Sequence, residues 1–80
     1  MLKVYSKNNC PFCVQAKRLL ENKNVPFEEI NIENSPESRQ LLLDLGLRSV
    51  PQVFDGTTLI PGGYQGLAAQ PAEFFDSMKG

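Results

Sequence analysis

Two cysteines separated by two residues are the side chains of this sequence best suited to chemistry. Cys10 and Cys13 are the only cysteines among the 80 residues, and Pro11 and Phe12 lie between them. Thiols at this spacing can form a disulfide with each other, so one can attack a substrate disulfide and the other can resolve the mixed disulfide that results. The pattern predicts a dithiol–disulfide centre, with Cys10 as the nucleophile and Cys13 as the resolving thiol.

The elements around the pair favour a reactive Cys10. Residues 2–5 alternate in hydrophobicity like a short strand, and Pro11 suits the first turn of the helix that follows. Cys10 therefore falls at the start of a helix, where free N–H groups and the positive end of the dipole favour a thiolate. Cysteines in such places have pKa values lowered to roughly 3.5–7.5. Lys7 adds a positive charge nearby, and Cys13 lies about one turn further along, less exposed.

A core position and a zinc site are the two alternatives to redox chemistry for these cysteines. Free cysteine is often an ordinary small core residue, but a pair placed between a strand and a helix is more typical of a redox centre. Structural zinc takes four nitrogen or sulfur ligands. With two cysteines and no histidine, one chain cannot complete such a site, and only a site shared between two chains remains open.

The remaining elements predict one α/β domain over residues 1–80, in the order β-α-β-α-β-β-α. A second strand covers 27–32, and a hydroxyl cap followed by proline starts a helix at Ser35-Pro36, which Gly46 ends. A hairpin turns at Asp55-Gly56, Gly62-Gly63 breaks the chain, and a last helix covers 72–78. A right-handed crossover makes the first two strands parallel. The result is a four-stranded mixed sheet flanked by three helices.

Charge and hydropathy exclude several function classes. Eight basic and nine acidic residues are dispersed along the chain and give a net charge of −1, so no basic stripe is present to neutralise phosphates of a nucleic acid. No apolar stretch approaches the ~20 residues that a membrane-spanning helix needs. We expect a monomeric cytoplasmic protein that binds neither nucleic acid nor membrane.

Three motifs together give the chain a strong resemblance to the dithiol glutaredoxins. They are Lys7-Asn8-Asn9-Cys10-Pro11-Phe12-Cys13, the segment Ser49-Val50-Pro51, which is similar to the family's Thr-Val-Pro, and the diglycine Gly62-Gly63. The resemblance runs essentially from end to end. It implies a thioredoxin-like fold, no bound cofactor or metal, and glutathione as the reducing co-substrate.

The resemblance also implies a set of glutathione contacts. Pro51 is expected to be cis and to face the active site, with the backbone of Val50 exposed as an edge that pairs with a peptide-like substrate. Lys7 is expected to meet the glycine carboxylate of glutathione, and Phe12, where the family usually has tyrosine, to line the groove. Gly63 allows close approach of the backbone, and the N–H groups of Tyr64 and Gln65 are expected to receive the γ-glutamyl carboxylate.

One departure from the family pattern opens alternatives. Many glutaredoxins have Cys-Asp or Ser-Asp after the diglycine, and this sequence has Tyr64-Gln65, so no carboxylate holds the γ-glutamyl ammonium. Gly46-Leu47-Arg48 resembles the NrdH-type redoxins, which thioredoxin reductase reduces and which supply electrons to ribonucleotide reductase. Arg48 either reaches a carboxylate at the groove or closes the preceding helix. A third hypothesis is a [2Fe-2S] cluster carried between two protomers, against which Pro11 argues.

Overall fold

Eight elements make up the computed structural model, which describes all residues from 1 to 80. Their bounds, in chain order, are β1 Leu2–Ser6, α1 Pro11–Asn22, β2 Phe27–Asn31, α2 Pro36–Asp44, β3 Gln52–Asp55, β4 Thr58–Ile60, α3 Gly63–Ala68 and α4 Ala72–Asp76. None of the helices is both long and apolar enough to span a membrane.

The four strands form one mixed sheet in the order β2-β1-β3-β4. Strand β1 runs parallel to β2, with Val4 opposite Glu29, and antiparallel to β3, with Val4 opposite Val53. Strands β3 and β4 form the antiparallel hairpin, in which Asp55 pairs with Thr58. The predicted mixed sheet, the parallel first pair and the closing hairpin are all confirmed.

Hydrophobic side chains on both faces of the sheet build a three-layer domain. On one face, α1, α3 and α4 bury Leu20, Leu67 and Phe75 against Val4 and Val53. On the other face, α2 packs Leu42 against Tyr5 and Phe54. Because β1 and β3 are central and carry apolar residues on both faces, they fix the positions of the loops that follow them.

Helices α1 and α2 end through the same backbone motif. After α2, Gly46 adopts a φ of 78°, and the N–H groups of Gly46 and Leu47 donate to the carbonyls of Leu43 and Leu42. After α1, Asn24 occupies the equivalent position with a φ of 59°. These are Schellman caps, which accept a left-handed glycine or asparagine. The prediction that Gly46 ends the second helix is confirmed, so Arg48 lies beyond the cap.

The number of helices differs from the prediction, because residues 63–68 form α3 where a break was expected. Glycine costs about 1 kcal/mol relative to alanine inside a helix, so Gly63 and Gly66 disfavour one locally. Tertiary packing overrides that preference, since Leu67 of α3 is fully buried in the core. The domain therefore has four helices around its sheet, and α4 ends at Asp76, two residues before the predicted end.

Candidate functional site

Cys10 occupies the N-cap of α1, directly after the loop that leaves β1. Its backbone is extended, with φ −117° and ψ 100°, and its sulfur accepts a hydrogen bond from the backbone N–H of Cys13 at 3.2 Å. Pro11 takes the first helical position, where its missing N–H costs no hydrogen bond. The local sequence thus places a sulfur atom where the helix presents unpaired donors.

Cys10 and Cys13 form a disulfide across this first turn, with their Cα atoms 5.2 Å apart. Cys13 is 1% exposed and Cys10 8%, which confirms that Cys13 is the less exposed of the two. The Cys10 sulfur also lies 3.8 Å from the carbonyl oxygen of Val50, a contact and not a hydrogen bond while the sulfur carries no proton. The disulfide therefore meets the segment that leads into β3.

Six of the seven predicted substrate-binding residues line a single groove of about 520 Å³ beside the disulfide. These six are Phe12, Val50, Pro51, Gly63, Tyr64 and Gln65. The Val50–Pro51 peptide bond is cis, as expected from the resemblance. The rings of Phe12 and Tyr64 stack with centroids 6.1 Å apart and form one wall. No Asp or Glu side chain lines the groove.

Close backbone contacts hold α3 at the edge of this groove. A Cβ built on Gly63 would lie 3.0 Å from the carbonyl oxygen of Pro51, and one built on Gly66 would collide with the carbonyl group of Pro61. Glycine at both positions lets α3 approach the loops before β3 and after β4. The positions of Tyr64 and Gln65 depend on this approach, because α3 carries both.

Lys7 is the predicted site residue that lies outside the groove. It lines a pocket of about 600 Å³ around Cys10 and Cys13 and also a second one of about 250 Å³, which Val50 shares. Lys7 is exposed and forms no salt bridge, since the two salt bridges of the protein join Lys17 to Glu29 and Lys79 to Asp76.

A polar network borders the pocket around Cys10 and Cys13 and was not predicted from the sequence. A carboxylate oxygen of Glu29 accepts hydrogen bonds from Lys17 Nζ and from the buried hydroxyl of Ser6, both at 2.8 Å. The hydrogen bonds from Lys17 and then Ser6 hold the pKa of Glu29 below its ordinary value of 4.5. The network links β1, α1 and β2 next to Cys13.

Sequence reasoning also missed part of the groove and its support. Six further residues complete the lining, namely Leu47, Ser49, Gln52, Leu59, Pro61 and Gly62, and Gly66 packs closely against Pro61. Leu47, Ser49 and Gly62 lie in motifs named above, whereas no local signal marks Leu59 or Pro61, because their place at the groove depends on the pairing of β4 with β3. Gln52 supports the groove through a local contact, since its side-chain amide donates to the carbonyl of Ser49 at 2.8 Å and steadies the loop before β3.

The glutaredoxin family model matches residues 2–60, which include the cysteine pair and the whole sheet. Among curated proteins, a glutaredoxin-like protein NrdH of Lactococcus lactis is 40% identical over 53 residues, covering 66% of this chain and 74% of the relative. A glutaredoxin of Pseudomonas aeruginosa is 40% identical over 60 residues, covering 74% and 71%.

Solved structures give the same result over longer segments. The NrdH-redoxin of Escherichia coli superposes with a TM-score of 0.74 at 31% identity, covering 89% of this chain and 96% of its own. A buckwheat glutaredoxin in complex with glutathione superposes with a TM-score of 0.71 at 30% identity, covering 84% and 64%. Motif, fold and comparisons agree that this chain belongs to the glutaredoxin family and is a thiol–disulfide redoxin of the glutaredoxin and NrdH type.

Proposed function

We propose that the protein reduces protein disulfides and glutathione mixed disulfides through a dithiol cycle of Cys10 and Cys13, with glutathione as the reductant. The observation that carries this proposal is the position of the cysteine pair. Cys10 caps α1 at the rim of a groove, and Cys13 lies one turn away within bonding distance. A dithiol cycle requires this arrangement of a nucleophile and a resolving thiol within reach of each other, with the nucleophile the more exposed of the two.

In the first step the reduced Cys10 attacks the substrate as a thiolate. The N–H of Cys13, which donates to the Cys10 sulfur in the disulfide form, is in place to stabilise the negative charge, together with the N-terminus of α1. The Cys10 sulfur forms a bond to one substrate sulfur, the substrate S–S bond breaks, and the departing thiolate takes up a proton.

In the second step Cys13 loses its proton and attacks the Cys10 sulfur. The Cys10–Cys13 disulfide forms, the mixed disulfide breaks, and the second substrate thiol leaves with a proton. Two electrons have then passed from the dithiol to the substrate. Two glutathione molecules restore the dithiol by the same exchange and leave as glutathione disulfide. The cytoplasm is the compartment that we propose, because thiols there are kept reduced.

The groove offers glutathione a peptide-binding edge. The N–H and C=O of Val50 take no part in backbone–backbone hydrogen bonds, so they are free to pair with the cysteinyl residue of glutathione as a strand would. Phe12, Pro51 and Tyr64 flank this edge with apolar surface, and we assign Lys7, which lines the adjoining pocket, to the glycine carboxylate. The buckwheat glutaredoxin, which binds glutathione in its crystal structure, supports this assignment.

A second candidate keeps the chemistry and replaces the electron donor by thioredoxin reductase, as in an NrdH-like redoxin that serves ribonucleotide reductase. The absence of any Asp or Glu from the groove lining favours it, because the γ-glutamyl ammonium of glutathione then has no counter-charge. The E. coli NrdH-redoxin, described as having a thioredoxin-like activity profile, supports it as well.

Single substitutions of the cysteines test the dithiol cycle. Cys10→Ser removes the nucleophile and is expected to abolish reduction of both a protein disulfide and a glutathionylated peptide. Cys13→Ser is expected to abolish only the first activity, because glutathione itself can resolve the mixed disulfide on Cys10. Activity of Cys10→Ser on both substrates would contradict the assignment of the nucleophile.

The electron donor is decided by coupling the oxidised protein to two NADPH-consuming systems. One contains glutathione and glutathione reductase, and the other contains thioredoxin reductase alone, each with the same protein disulfide as final acceptor. NADPH oxidation in the first system alone supports the glutathione assignment. Oxidation in the second system alone replaces it by the NrdH-like one.

A further inference from the structure

Resting on the proposed reductase function, we propose that the pocket formed by Lys7, Arg39 and Arg48 binds acidic side chains next to the disulfide of a protein substrate. This cationic pocket has a volume of about 250 Å³ and lies between the end of β1, α2 and the loop before β3. It thus selects proteins whose reducible cysteine is flanked by several Asp or Glu residues.

The three cations of this pocket have no carboxylate partner within salt-bridge distance. Lys7, Arg39 and Arg48 are all exposed, and none of them belongs to either of the salt bridges in the protein. No carboxylate side chain is among the lining residues, which are otherwise apolar apart from Ser49. Glu33 is not among the lining residues, and its carboxylate accepts a hydrogen bond from the backbone N–H of Asn8 at 2.6 Å. Three cations over an apolar floor attract an anion with a short hydrocarbon stem.

The cationic pocket is continuous with the reactive centre. Lys7 also lines the pocket that surrounds Cys10 and Cys13, and Val50 lines both the cationic pocket and the groove. The carbonyl oxygen of Val50 is 3.8 Å from the Cys10 sulfur. An extended segment paired with Val50 therefore presents its cysteine to Cys10 and its neighbouring side chains to Lys7, Arg39 and Arg48.

An acidic protein segment fits this pocket better than glutathione alone. Glutathione brings only its glycine carboxylate to the cationic pocket, and Lys7 alone is sufficient to bind that single charge. The two arginines add bidentate donors that several carboxylates of a polypeptide can use together. Because all three cations are exposed, their effect falls mainly on the association rate and is sensitive to salt.

The test uses peptides that contain one intramolecular disulfide and differ only in the residues beside one cysteine. The first peptide has Asp and Glu there, the second has Asn and Gln, and the third has Lys. Fully reduced protein is mixed with each peptide without any electron donor, and the second-order rate constant of disulfide transfer is measured after acid quenching. This single-turnover design is independent of which donor regenerates the dithiol.

The acidic peptide is expected to react about tenfold faster than the neutral one at low ionic strength, and the lysine peptide slowest. The acidic-to-neutral ratio should fall in Arg39→Gln and in Arg48→Gln and approach one in the double variant. Arg18→Gln removes one positive charge from the exposed face of α1 and should leave the acidic-to-neutral ratio unchanged. Equal rates for the three peptides, or a ratio that survives in the double variant, would overturn the proposal. A protein that reduces none of the peptides would overturn the reductase function itself.

Discussion

Replacing Gly66 by alanine tests whether close packing of α3 or helix propensity dominates at the groove. Propensity alone favours alanine by about 1 kcal/mol inside a helix. The added Cβ, however, would lie 2.7 Å from the carbonyl carbon of Pro61 and closer still to its oxygen, whereas Cβ contacts under 3.0 Å are essentially never found. Both obstructing atoms are backbone, so no side-chain rotation relieves the clash.

The helix must therefore move away from Pro61, and this movement disturbs the burial of Leu67, which is fully buried. Overpacking costs typically about 1–3 kcal/mol, and the upper end applies here because the obstructing atoms are backbone, so after the gain of about 1 kcal/mol in propensity we expect a net loss of about 2 kcal/mol. For a domain of this size that loss lowers Tm by roughly 8–16 °C. Urea unfolding of the oxidised protein measures the change in the free energy of unfolding.

Gly46→Ala is the matched control, because nothing lies within 4 Å of a Cβ at that position. Its φ of 78° makes alanine cost about 1–2 kcal/mol through backbone conformation alone. The two variants should differ in activity. Only Gly66→Ala displaces Tyr64 and Gln65, so only this variant should reduce a glutathionylated peptide more slowly. A Gly66→Ala protein as stable as the unaltered one, with full activity, would refute the packing argument.

Three further substitutions test the ion pair of Glu29, the missing charge at Gln65 and the burial of Leu67. Glu29→Gln loses the ion pair with Lys17 and should destabilise the protein by about 0.5–1 kcal/mol at pH 7, since the pair is partly exposed. Because the pKa of Glu29 is lowered in the folded state, this stabilisation is present above the unfolded-state pKa and lost as pH falls through the folded one. The Tm values of the unaltered protein and of Glu29→Gln, measured between pH 7 and pH 3, should converge as the pH falls. A Tm difference that is constant with pH would contradict the assignment of this stabilisation to the Glu29 carboxylate. Gln65→Asp supplies the missing counter-charge and should lower KM for a glutathionylated peptide about two- to fivefold, with Gln65→Asn as the control; an unchanged KM would place the γ-glutamyl group elsewhere. Leu67→Ala should cost about 2–5 kcal/mol in urea unfolding, because the side chain is completely enclosed, and a loss under 1 kcal/mol would mean that α3 is not anchored by the core.

Local patterns were sufficient for most elements of the fold. The Ser35-Pro36 start of α2 is borne out by the Ser35 side chain, which accepts a hydrogen bond from the N–H of Ser38, and Gly46 caps the same helix at its other end. Such signals act within four or five residues, so they can be recognised in one sequence. The helix at 63–68 has no such local signal, since its two glycines disfavour a helix. It forms because burial of Leu67 in the core stabilises it.

The cysteine pair was likewise specified by the sequence alone. The spacing of Cys10 and Cys13, and Pro11 after a strand, place a disulfide at a helix N-terminus through local geometry, and the structure agrees. The family resemblance also predicted six residues of the groove, but the contacts that bring these residues and the cationic pocket to the disulfide were decided only by the tertiary structure. Val50 reaches the Cys10 sulfur because β3 pairs with β1, and Arg39 and Arg48 join Lys7 because α2 packs on the opposite face of the sheet from α1. These contacts join residues about 30 to 40 positions apart, and their energy comes from burial of the whole core, which no local pattern reports.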